Sequence, residues 1–116
     1  MATHASDRDP IIPPMPERTP SALRQAIAQH TPDLLPDFEE HWKWAIADAY
    51  DPTPAEAFMT RWWGAYAIAR DPKLDAHVRE LEHRAAYECT DINEAKALLE
   101  EASKIYYRVR ELEPGE

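Results

Sequence analysis

Apolar side chains recur along this chain at intervals of three and four, the spacing that gathers them on one side of a helix. Five such segments follow one another. The first, Pro20 to His30, carries Leu23, Ala26 and Ile27 on one side and is too short to be stable without docking. The second, Leu35 to Tyr50, aligns Phe38, Trp42, Ala45, Ile46 and Ala49. The third, Pro54 to Arg70, is apolar or small almost all the way round. Phe58, Met59, Trp62, Trp63 and Tyr66 cover a wide arc, Ala57, Thr60, Gly64 and Ala67 lie opposite, and only Arg61 and Arg70 are charged. Such a helix belongs at the centre of a fold, with neighbours on both flanks. Gly64 lowers its intrinsic stability by about 1 kcal/mol relative to Ala, and a close helix along the small-residue side is the expected compensation.

The fourth segment, Pro72 to Glu88, places Leu74, Val78, Leu81 and Ala85 on one side. The fifth, Ile92 to Leu112, sets Ala95, Leu98, Ala102, Ile105, Val109 and Leu112 at alternating three-four spacing, a heptad seam. Only a few residues around Cys89 and Thr90 join the two, so they are expected to fold back as an antiparallel, coiled-coil-like hairpin. Lys96, Glu100, Lys104 and Arg108 lie four apart outside that seam and read as a charge ladder. No run rich in Val, Ile and Thr resembles a strand. The expected fold is all-α, a compact bundle of about five helices.

The helix starts are marked by capping chemistry. Thr19-Pro20, Thr31-Pro32 and Thr53-Pro54 each set a hydroxyl before a proline, and Asp71-Pro72 does so with a carboxylate. The ring then occupies a first-turn position, where its missing N–H is no loss. Thr53 with Glu56 fits a capping box, and Asp91 with Glu94 resembles one. Upstream, Pro10, Pro13, Pro14 and Pro16 crowd a stretch poor in apolar anchors. Residues 1–19 are therefore expected to form a disordered Pro-rich tail, and residues 20–113 a single helical domain.

Composition narrows the functions. Of 116 residues, 13 are Lys or Arg and 22 are Asp or Glu, a net charge of −9 that repels a polyanion such as nucleic acid. Between residues 33 and 56 the seven acids Asp33, Asp37, Glu39, Glu40, Asp48, Asp51 and Glu56 face only Lys43. A basic protein partner is their natural complement. Gly64 and Gly115 are the only glycines, too few for a phosphate-cradling loop, a dinucleotide turn or a nucleophile elbow. Glu80 and His83 form one Glu-x-x-His step, but a di-iron bundle needs two such steps and two further carboxylates. Glu80 reads instead as the partner of Arg84 on a solvated face. Cys89 is the single cysteine, with no disulfide and no Cys-based metal site. Its place before a helix could lower its pKa, but no histidine lies within two residues, and it reads as an idle loop thiol. No catalytic, cofactor-binding or metal-binding residue is expected. The start of the chain lacks the apolar core of a signal peptide and no run approaches membrane-span length, which points to a cytoplasmic protein.

One side chain does not suit its surroundings. On an ideal helix Trp44 projects about 200° away from Trp42. That side also carries Asp37, Glu40, His41 and Asp48. Either the first helix or the tail, through Ile11 and Ile12, covers it, or it is an anchor for a partner. Tyr107, pointing outward beside the fifth helix's seam, joins Asp37, Glu40, Trp44 and Asp48 as a candidate partner-binding residue.

Ser21-Ala22-Leu23-Arg24, the pair Trp62-Trp63, the run Tyr66-Ala67-Ile68-Ala69-Arg70-Asp71-Pro72, and Leu74-Asp75-Ala76-His77-Val78 with Leu81-Glu82 and Ala85-Ala86 resemble an actinobacterial helical family called domain of unknown function 6247. The likeness spans about residues 19 to 88. It implies a small bacterial helical protein and brings no catalytic residue or substrate. The favoured function is a non-catalytic interaction module, an antitoxin-like partner or adaptor that binds a basic protein. A DNA-associated transcriptional regulator is the alternative, opposed by the charge, and self-association through the heptad seam, as a homodimer, is a third.

Overall fold

A computed structural model describes residues 11–47 and 54–116. The fold is all-α. Its helices are α1 (Pro20–His30), α2 (Leu35–Trp42), α3 (Pro54–Ala69), α4 (Pro72–Tyr87) and α5 (Ile92–Arg110). No strand occurs among the described residues, and no helix is long and apolar enough to cross a membrane.

Local chemistry sets most of the boundaries. The Thr19 hydroxyl accepts a hydrogen bond from the Ala22 N–H at 3.1 Å, and Asp71 accepts one from the Leu74 N–H at 3.2 Å. Asp91 caps α5 through the Asn93 N–H at 2.9 Å. Thr31 behaves otherwise. Its buried hydroxyl turns back to the Ile27 carbonyl, and Pro32–Leu34 forms a 3₁₀ turn that feeds directly into α2. The expected box at Thr53 and Glu56 lies partly outside the described residues. The second helix was expected to run unbroken toward Tyr50. Instead α2 passes into a single π-helical turn, Lys43–Ala47.

α3 is central. It packs on α1, on the π turn, on α4 and on α5. Successive residues point about 100° apart on a helix, so the adjacent tryptophans serve different neighbours. Trp62 meets Phe38 of α2 edge-on, with ring centroids 5.3 Å apart. Trp63, with no exposed surface, donates its indole N–H to the Leu112 carbonyl at 3.1 Å, beyond the end of α5. Gly64 lies against α5 as expected, yet a Cβ there would sit 3.7 Å from Val109 Cγ2, an ordinary contact. α4 and α5 pair as the expected hairpin, burying Val78 and Leu81 against Ala102, Ile105 and Val109. The charge ladder along α5 is not formed. No ion pair among the described residues links Lys96, Glu100, Lys104 and Arg108.

The domain begins earlier than the proline pattern implied. Residues 1–10 lie outside the described residues, but the segment before Thr19 docks on the bundle. Met15 is only 2 % exposed and joins the core. The Arg70 guanidinium donates to the Pro13 carbonyl at 2.9 Å, and Arg18 stacks its guanidinium 4.9 Å from the Trp63 ring centre. The Gly115 N–H donates to the Met15 carbonyl at 2.8 Å, an approach made with Gly115 at φ +91°, where a side chain would be strained. Proline lacks a donor, but its carbonyl still accepts. A chain rich in proline can therefore be tied down by donors from elsewhere in the fold.

Candidate functional site

The site takes shape where α2 ends. The 3₁₀ turn and Pro36 bring the chain into α2 so that Phe38 faces inward, while Asp37 and Glu40 remain exposed. Phe38 meets Phe58 and Trp62 edge-on, with Phe38 and Phe58 centroids 5.1 Å apart, and Phe58 lies tilted 6.5 Å from Trp62. His41 sits half-buried at the margin of this cluster. The Trp62 indole N–H donates to its Nδ1 at 2.8 Å. An acceptor Nδ1 means the imidazole is neutral with its proton on Nε2. Burial, and then the positive charge of Arg61, hold the His41 pKa below its ordinary value of 6.5.

Trp44 lies over this histidine, its ring centroid 4.6 Å from the imidazole. Its outer side is open, leaving it 62 % exposed. A cover by α1 or by Ile11 and Ile12 is not what the structure shows. Those two isoleucines are themselves 81 % and 45 % exposed. The indole is braced from beneath by His41, which in turn rests on Phe58 at 5.0 Å. A large exposed ring is thus held by a stack that reaches the core.

Of the residues expected to act together, Asp37, Glu40 and Trp44 share the exposed side of α2 and its π turn. Asp48 lies outside the described residues. Tyr107 is exposed beneath the Arg110 guanidinium, 5.2 Å from its ring centre, but it belongs to α5. That helix packs on α3 and α4, whereas α2 packs on α1. Tyr107 is a separate feature, which a single-helix projection cannot reveal.

Two apolar grooves border the same end of the fold. One, of 590 Å³, runs between α1 and α2, and the other, of 540 Å³, between α2 and the start of α3. Pro20 and Trp42 line both. Trp42 was assigned to the core, but it is half-buried and forms the wall between the grooves, its ring 5.4 Å from Phe58. Across the first groove Arg24 holds Glu39, its Nε donating to Oε1 at 2.9 Å and its Nη2 donating to the same oxygen. Glu39 is therefore matched internally, while Asp37 and Glu40 form no ion pair among the described residues.

The other chemical candidates lie apart. Arg79 pairs with Asp75 at 3.2 Å and His83 with Glu88 at 3.8 Å, in place of the expected Glu80–Arg84 pair. Among the described residues no three His, Cys, Asp or Glu side chains come together as a metal would need. Burial, and then Glu94, push the Cys89 thiol above its ordinary value. No family model, no curated protein and no solved structure matches this chain.

Proposed function

We propose that this protein is a non-catalytic interaction module of the cytoplasm, in the manner of an antitoxin or adaptor, that captures a basic protein segment on the exposed side of α2. Trp44 carries the reading. It is large, 62 % exposed and supported by His41. A tryptophan held in one orientation gives a partner much contact area at little cost in side-chain entropy. Asp37 and Glu40 flank it with charges not used within the described residues, so Lys or Arg from a partner would find unspent acceptors beside an apolar anchor. The net charge of −9 favours the encounter at long range. Membership of the helical family that residues 19 to 88 resemble belongs to the same proposal.

Capture from native lysate, run in parallel with wild type, Trp44→Ala and Asp37→Lys/Glu40→Lys, tests it. A stoichiometric basic partner retained by wild type and lost by both variants is the expected result. Absence of a partner, or one that binds all three proteins alike, rules the reading out.

A further inference from the structure

The α4–α5 hairpin is buried at one end only. Toward its turn Tyr87 is 79 % and Ile92 82 % exposed, and Leu99, one heptad beyond Ile92, is still 48 % exposed. The heptad seam does not explain these side chains, because Ala102, Ile105 and Val109 are covered within the chain. They belong to a second stripe. At about 100° per residue, Ile92, Lys96, Leu99, Ser103 and Tyr107 fall within an arc of about 80° beside the seam. Along its first three turns lies a shallow apolar groove of 370 Å³. Tyr106, which neighbours the stripe, is half-buried, whereas Tyr107 is 67 % exposed and is the tyrosine left outside.

We propose that this stripe pairs with the same stripe of a second copy of the chain, the two α5 helices running antiparallel about a two-fold axis at Leu99. The charges decide the occupant and the direction. Lys96 and Glu100 lie on the same edge of the stripe, and neither has an ion pair among the described residues. A two-fold axis perpendicular to antiparallel helices keeps each edge on its own side. It sets Lys96 of one copy beside Glu100 of the other, and does so twice. With about 1.5 Å of rise per residue, the paired groups are offset by about 3 Å along the helices, within side-chain reach. The same axis brings Leu99 onto its counterpart and lays each Ile92 level with the second copy's Tyr107. One patch thus supplies both halves of a self-complementary contact, as a two-fold interface requires. A single helix pair buries little for a stable complex, so the dimer is expected to be weak, with a Kd on the order of 10 μM. The inference is independent of the α2 face, since Trp44 lies on an element that does not pack on α5.

Sedimentation velocity of the full chain, from low micromolar to several hundred micromolar, reads it directly. Wild type is expected to pass from monomer to dimer over that range. Leu99→Glu should raise the Kd at least about tenfold, with unchanged helicity because the residue is half exposed. Lys96→Glu and Glu100→Lys should each weaken the dimer, and the two together should restore it. A chain that stays monomeric at every concentration overturns the proposal, as does a dimer indifferent to Leu99→Glu. A double variant no better than the singles overturns the antiparallel arrangement. Persistence of Trp44-dependent capture in Leu99→Glu keeps this test separate from that of the proposed function.

Discussion

At Gly64 the backbone already follows helical geometry, and a methyl group there would meet Val109 Cγ2 at 3.7 Å, with no steric penalty. The glycine therefore gives up helix propensity without gaining a closer approach. Gly64→Ala should stabilise the fold by about 0.5–1 kcal/mol, seen as a rise of several degrees in the thermal midpoint. Tyr66 offers a second such site. Its ring is fully buried and its hydroxyl has no hydrogen-bond partner among the described residues. Removing an unsatisfied hydroxyl relieves a desolvation cost, so Tyr66→Phe should be neutral or stabilising by about 1 kcal/mol in a denaturant titration. His41 behaves differently, because its Nδ1 must remain unprotonated to accept the Trp62 N–H. Its folded pKa lies below 6.5, so the unfolded chain takes up the proton first as pH falls. Its contribution is intact above pH 6.5 and is lost as pH drops through the lowered folded value. Thermal midpoints should decline with acidification, and His41→Asn, which keeps an acceptor near Nδ1 but cannot titrate, should flatten that slope.

Among the elements, α1 spans the residues its pattern predicted, and the starts of α4 and α5 follow from Asp71 and Asp91 alone. These features are local, and local chemistry is legible in sequence. The end of α2 was not. A π turn widens the helix by one residue per turn, and nothing in Lys43–Ala47 announces it. Trp44 was recognisable as a misfit from its carboxylate neighbours, but its brace on His41 depends on how α3 presents Phe58 and Trp62. Met15 was invisible for the same reason. Its segment is tied down by Arg70, which bonds the Pro13 carbonyl 57 positions away, and by Gly115, neither of which a periodicity search connects to it. Met15→Ala should destabilise by about 2–5 kcal/mol, the range for emptying a buried methionine site. A truncated chain beginning at Thr19 should melt lower than one that retains residues 11–18.

For the molecule as a whole, the core and the proposed recognition face are separate, since Trp44 is exposed while the core residues are not. Trp44→Ala should leave the melting curve within about 0.5 kcal/mol of wild type, as expected of an exposed position, while abolishing partner capture. If the hairpins pair, each particle presents two α2 faces, and a partner displayed in multiple copies would be held by avidity beyond the strength of one site. The bond from Gly115 to Met15 has a consequence of its own for biosynthesis. Met15 leaves the ribosome before Gly115, yet the bond that ties its carbonyl down is completed only by a residue synthesised 100 positions later. Until then the Met15 carbonyl lacks that donor, and the Trp63 indole lacks the Leu112 carbonyl it bonds in the fold. The nascent chain must therefore wait with unfinished packing, and chaperone contact during translation should concentrate on that exposed methionine and on the tryptophan pair.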